Sequence, residues 1–241
     1  ETLALTDHDA VDGVPEAAEA AKREGIALVP AAEISCVHAS IDDLHMLGYW
    51  IDVEAMRPMC ERAQQERVTR AQEIVERLNS LGVAVSFEDA IAQAGGASSV
   101  GRPHIAKAAG TKPDEMSAFF EEYLIPGAKA FVSRRWPTAA EAIRLIRESG
   151  GTPVLAHPFW DIDEPRQVEA LVDDLDLDGV EAFYPAHDRE QTKFLLELCT
   201  KRSLAATASS DFHGPNHKMF DSFGTYPTYD LGTPVLPPSR N

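Results

Sequence analysis

At 241 residues the chain can bury a full core, either as one α/β domain or as a domain carrying an insertion. Its 44% hydrophobic and 25% charged content is that of an ordinary globular protein, and no apolar run reaches the ~18 residues of a membrane span. A net charge of −17 excludes a broad basic face for long nucleic acid. Short anionic substrates stay open, because bound divalent cations reverse the field inside a site.

Cys36, Cys60 and Cys199 are odd in number, far apart and without C-x-x-C spacing, which points to a reducing, cytoplasmic setting. The pattern from Thr2 to Ser35 reads strand, helix, strand: Pro15 fits the first turn of a helix through Glu24, and Gly25 stops it. The chain opens on Glu1 inside a strand pattern, so an N-terminal strand is expected to be missing. That would expose a sheet edge and lower the melting temperature relative to a chain extended upstream. Asp43–Trp50 reads as a further strand.

Between residues 53 and 132 the pattern changes. Met56, Cys60, Ala63, Ala71, Ile74, Val75 and Leu78 recur at helical spacing, and Ser86 with Asp89 forms a capping box. Short helices are predicted at Pro103–Ala109 and Asp114–Tyr123. This stretch has no convincing strand and reads as a helical insertion between two parts of an α/β domain, residues 1–52 and 133–241. Alternation then resumes: a helix from Thr138 to Glu148, a strand at Thr152–Ala156, a helix at Pro165–Leu175 and a strand at Gly179–Tyr184. A helix at Asp188–Thr200 and a strand at Leu204–Ala208 follow. Strands alternating with long helices predict a parallel sheet or barrel, and Pro237–Asn241 reads as a loose tail.

The strand ends carry the chemistry. Asp7-His8-Asp9 closes the first strand, with Asp9 placed to cap the next helix. Glu33 follows three residues of small or rigid type. His45 opens an apolar run, and Pro158 biases His157 toward extended geometry off the rim. In an extended Ser210–Gly214 segment, Asp211 and His213 lie on one side. Each alone has a structural reading as a capping, ion-paired or half-buried group. Together, imidazoles and carboxylates converging on one rim suit Mn, Fe or Zn.

The ordered motifs T-D-H-D, x-x-E-I-S, H-x-L-G-Y, G-R-P-H-I-A, A-H-P and S-D-F-H-G, running from Leu3 to about Tyr226, resemble the PHP (polymerase and histidinol phosphatase) superfamily. The likeness is to its branch of small metal-dependent phosphoesterases with a helical insertion. That resemblance implies a distorted seven-stranded (β/α) TIM-like barrel and two or three divalent ions, manganese first, with iron, zinc or magnesium as alternatives. By position it carries ligand roles to His8, Glu33, His45, His157, Asp211 and His213, and an orienting role beside His8 to Asp7. The family's opening H-x-H motif is absent from this chain, as though its first strand were missing.

Arg102 and His104 lie in the insertion as candidates to hold a substrate phosphate, with Ser99 and Lys129 as further ones. Arg134 is weaker, and His38, His187 and His217 read as surface or structural. The expected reaction is metal-assisted hydrolysis of a small phosphorylated nucleotide, with Asp7, His8 and His213 in the catalytic group. The resemblance suggests a nucleoside 3′,5′-bisphosphate losing its 3′-phosphate. A 5′-to-3′ exonuclease on short RNA, a non-catalytic nucleotide-binding module and a histidinol phosphate phosphatase are the rivals. Neither long nucleic acid nor a membrane is expected as a partner, and the oligomeric state stays open.

Overall fold

The computed structural model describes residues 2–39, 41–95, 100–160 and 162–240. Six strands lie in chain order in one curled sheet, a half-barrel. They are β1 (Thr2–Leu5), β2 (Ala27–His38), β3 (Ile41–Tyr49), β4 (Thr152–Leu155), β5 (Gly179–Phe183) and β6 (Ala205–Ala208). The expected all-parallel order holds for β1–β2, β4–β5 and β5–β6, but β3 runs antiparallel to both β2 and β4. The connection dictates this. Only residues 39 and 40 separate β2 from β3, enough for a hairpin and too few for the crossover that a parallel pair needs.

Side-chain alternation then decides which residues meet. On β2, Ala32, Ile34 and Cys36 enter the main core beneath the helices, while Val29 and Ala31 join a small separate cluster with Leu47, Tyr49 and Val154. Glu33 shares the parity of Val29 and Ala31, and His45 shares that of Leu47 and Tyr49. Both polar side chains therefore sit on the concave face of the sheet. On β5, Val180 and Ala182 face the main core and Glu181 between them faces the other way.

The main core is covered by α1 (Val14–Glu24), α6 (Ala139–Glu148), α7 (Pro165–Asp174) and α8 (Arg189–Arg202). Local signals fix their ends. Pro15 lies in the first turn of α1, and Gly25 closes that helix at φ 69°, a left-handed value that favours glycine. Thr138 and Glu141 form a reciprocal capping box on α6, as do Asp188 and Gln191 on α8.

Residues 53–132 hold α2 (Val53–Ser80), α3 (Phe87–Gln93), α4 (Arg102–Ala108) and α5 (Met116–Phe119), which runs on into a π turn at Phe120–Leu124. No strand occurs there among the described residues. The first part of α2 puts Met56, Met59, Cys60 and Ala63 into the core under the sheet. Its second part puts Ala71, Ile74, Val75 and Leu78 into another core with Ile105, Leu124 and Val132. One helix thus ties the strandless segment to the sheet.

The tail departs from expectation. The Trp50 indole N–H donates to the Pro237 carbonyl at 2.8 Å, Thr152 Oγ1 to the Pro238 carbonyl at 3.1 Å, and Arg240 pairs with Asp178. Prolines lack a backbone N–H but keep their carbonyls, and these acceptors pin the tail. Among the described residues no helix is long and apolar enough to cross a membrane.

Candidate metal centre

Backbone pairing past the end of β1 brings the first two motifs together. His8 and Glu33 form a parallel bridge, with the Glu33 N–H donating to the Asp7 carbonyl at 3.2 Å and the Asp9 N–H to the Glu33 carbonyl at 2.8 Å. His45 arrives from β3, and His157 from the turn after β4.

One atom, Glu33 Oε1, is the meeting point. His45 Nδ1 lies 2.8 Å from it, His157 Nε2 3.1 Å and His8 Nδ1 3.9 Å. His45 Nδ1 and His157 Nε2 are 3.3 Å apart, and the His8 and His45 rings stand 4.9 Å centroid to centroid. No lysine or arginine pairs with Glu33 among the described residues. Donor atoms of His8, Glu33 and His45 all fall within 4.8 Å of one another.

The donor set fits a divalent cation. Three imidazoles and a carboxylate are ordinary ligands for Zn, Mn or Fe. His8 Nδ1 is buried without a hydrogen-bond partner among the described residues, a costly state for a ring nitrogen unless its lone pair has a use. Electrostatics agree. Glu33 draws the His8 pKa upward, but burial and the nearby His45 and Arg67 outweigh it and bring it to about 4, leaving the ring neutral at pH 7. Burial would raise the Glu33 carboxyl, yet the electrostatic pull of the His8 and His45 imidazoles and the hydrogen bonds from His157 and His45 hold it well below the usual carboxylate range. Burial lowers His157, but bonding to Glu33 and the Glu181 and Asp211 charges carry it up to about 9. A proton there stands in for part of the charge that a cation would supply.

Asp211 and His213 stand beside this group, by a route other than the expected one. Asp211 has φ 48°, so the segment is not extended; the pair is held together by His213 Nδ1 contacting the Asp211 carbonyl at 2.6 Å. The His213 ring centroid is 6.0 Å from that of His8. Asp7 lies against Gly13, where a Cβ would come within 3.1 Å of its Oδ2, and its electrostatic partner is His213 rather than His8.

The segment's candidates are held in a second polar network. Asp9 does not cap α1. It is fully buried, accepts the Ser35 N–H at 2.9 Å, and pairs with Arg67 and, at 4.0 Å, Arg134. Its own φ of 50° turns it away from the helix start. Asp43 holds Arg102 at 2.7 Å and Arg134 at 2.9 Å, and Asp42 holds Arg70 at 3.3 Å. Four guanidiniums thus face three carboxylates, and Arg134 Nε is buried without a partner among the described residues. His104 Nδ1 accepts the Gly101 N–H at 3.0 Å, while Lys129 is an exposed partner of Glu122 at 2.6 Å. Ser99 lies outside the described residues.

No family model matches the chain. It is 33% identical over 223 residues to the 5′-3′ exoribonuclease Rnm of Salmonella typhimurium (strain LT2), across 89% of this chain and 75% of that protein. It is 32% identical over 223 residues to the 3′,5′-nucleoside bisphosphate phosphatase of Chromobacterium violaceum, across 88% of this chain and 77% of the relative. The chain belongs to this phosphoesterase family. An amidohydrolase structure from Chromobacterium violaceum with bound sulfate matches with a TM-score of 0.79 at 29% identity, over 89% of this chain and 78% of that one. A structure from Bifidobacterium adolescentis described as a metal-dependent phosphoesterase gives 0.76 at 29% identity, over 92% and 80%. The protein is therefore a hydrolase of ester bonds, and the His/Glu cluster with its metal-dependent neighbour supports divalent metals.

Two residues beside the cluster, Glu181 and Tyr184, went unread in the sequence. Glu181 is fully buried and accepts the His157 N–H at 3.1 Å. Burial, against the pull of His157 and with Glu33 and Asp211 nearby, raises its pKa to about 8. A lone acid in the apolar run Gly179–Phe183 was the available signal. Tyr184 donates its hydroxyl to Asp211 Oδ2 at 2.7 Å. His187, expected as surface or structural, takes the structural part: it is buried, with Nδ1 3.1 Å from the Ala182 carbonyl and its pKa lowered to about 4 by burial.

Proposed function

We propose that this phosphoesterase removes the 3′-phosphate of a nucleoside 3′,5′-bisphosphate at the His8/Glu33/His45/His157 cluster, with Asp211 and His213 completing the ligand set. The observation that carries this is the convergence of three imidazole nitrogens on one carboxylate oxygen that no lysine or arginine pairs with among the described residues. In the PHP-type reading, two or three divalent ions, manganese first, would supply a water of lowered pKa and neutralise charge on the phosphate oxygens.

The chain's own residues do the rest. Glu33 fixes the three rings relative to one another. His213, its Nδ1 engaged by the Asp211 carbonyl, keeps Nε2 as the nitrogen it can offer to the ligand set, and Asp7 tunes that ring by its charge. Residues 53–132 serve as a lid domain. Its Arg102, with Arg134 from the network that flanks His45 and Asp9, supplies the positive surplus for the second phosphate, assisted by His104. Lys129 would contribute only from the periphery, since Glu122 already neutralises it.

The test is phosphate release from adenosine 3′,5′-bisphosphate with added manganese, beside nucleotide release from short RNA. The bisphosphate is expected to turn over faster, and Arg102→Ala to raise its KM by about tenfold, the loss of one charge-assisted contact. The rival substrate has its own support, since the Salmonella relative is named as a 5′-3′ exoribonuclease. Faster cleavage of RNA would install that reading. Manganese binding with no turnover of either would leave a nucleotide-binding module.

A further inference from the structure

Of the three tryptophans, two are engaged. Trp50 donates its indole N–H to the tail, and Trp136 is buried with the Arg62 guanidinium 3.9 Å above its ring. Trp160 is different: it is 46% exposed although it lies three residues after His157. Its neighbour Phe159 takes the buried side of the same turn, against Phe194 and His187. The turn at Pro158–Trp160 therefore presents one aromatic inward and one outward.

The exposed ring is firmly backed. Its centroid stands 6.4 Å from that of His157, 6.2 Å from Tyr184 and 5.8 Å from Phe220, the first two in edge-to-face geometry. Tyr184 and Phe220 are themselves buried, 5.7 Å apart, and Phe220 also touches His213 at 5.8 Å. An unbroken set of rings thus leads from the ligand histidines to an indole at the rim. An exposed, rigidly supported indole beside a phosphate-handling centre is poorly explained by packing, since its exposed surface gains nothing from folding.

We infer that Trp160 is the platform on which the substrate's nucleobase stacks. A base stands one sugar away from its phosphate, and Trp160 is the exposed ring of the aromatic set around His157, where Tyr184 and Phe159 are buried. Every base has a π face, so this contact recognises a nucleotide as a class without selecting among bases. The inference rests on the phosphoesterase reading of the adjoining cluster, and it narrows the substrate to one that carries a base.

Two measurements test it. In the first, adenosine 5′-monophosphate is titrated into the protein while tryptophan emission is followed, with Trp160→Phe as reference. Saturable quenching in the native chain and its loss in Trp160→Phe are expected. In the second, KM is compared for adenosine 3′,5′-bisphosphate and for the same sugar bisphosphate without its base. Trp160→Ala should raise KM for the nucleotide by about tenfold, leave the base-less compound unchanged, and be largely rescued by Trp160→Phe. Equal effects on both compounds, or none on either, would overturn the proposal. If the protein turned over neither compound, the phosphatase reading would fail on its own, and the quenching result would still decide for or against Trp160.

Discussion

Two buried polar clusters sit side by side at the rim of the sheet, and they are closed in opposite ways. In the network of Asp9, Asp42 and Asp43, carboxylates meet guanidiniums of Arg67, Arg70, Arg102 and Arg134, so the protein supplies both signs of charge itself. In the other, the side chains that Glu33 meets among the described residues are imidazoles, one of them with a buried nitrogen that has no hydrogen-bond partner there. The first cluster pairs every carboxylate with a guanidinium and keeps one positive charge in surplus, whereas the second presents lone pairs. Position reinforces the contrast: Asp9 follows His8 beyond β1, and Asp43 precedes His45 by two residues within β3, so each segment sends one side chain to each cluster. A site for a cation and a brace for the adjoining helices are thus built from the same short segments.

This contrast can be broken from either side. The largest effect is expected at the meeting point. Glu33→Gln keeps the size of the side chain but removes the charge that organises three rings, and activity with manganese should fall by at least about 100-fold, beyond what loss of a supporting group costs. Activity within a few-fold of the native value would deny the cluster its role.

Next is the brace. Asp9→Ala leaves Arg67 and Arg134 without a buried partner and strips the Ser35 N–H of its acceptor, so chemical denaturation should show a loss of about 3–5 kcal/mol. Asp9→Asn should recover part of it through the surviving hydrogen bond. Were Asp9→Ala as stable as the native chain, the network would be ornamental. The smallest effect is expected at Lys129→Ala, because an exposed pair is well screened by solvent. Its melting temperature should not move measurably, and a clear drop would show that the Glu122 contact braces the strandless segment.

Much of this arrangement was legible in the sequence, for a physical reason. Two candidate ligands, His8 and His157, sit just past a strand, where a polar D-H-D or A-H-P has few packing explanations; Glu33 and His45, expected at the ends of apolar runs, lie instead inside β2 and β3, which run on past them. Alternation along β2 and β3 likewise assigns Glu33 and His45 to the face opposite Ile34 and Met46 without any structure. What could not be read is pairing at long range. Arg67 and Arg70 are two of several arginines on α2, and nothing local says that they reach Asp9 and Asp42. The role expected of Asp9, a helix cap, failed because its backbone turns left-handed and carries the carboxylate inward. The antiparallel β3 was missed for a related reason: the alternation of strands and helices masked a two-residue connection. Tyr184 and Glu181 look like ordinary members of an apolar strand until the fold sets them beside Asp211 and His157.

The most direct test is a calorimetric titration of manganese into the native chain and into Glu33→Gln, each freed of metal beforehand. The account predicts saturable binding to the native chain, weakened by at least about 100-fold in the variant. The melting temperature should rise in parallel for the native chain alone, by the equivalent of about 2.7 kcal/mol at a hundredfold excess over Kd. Undiminished manganese binding by Glu33→Gln would contradict it.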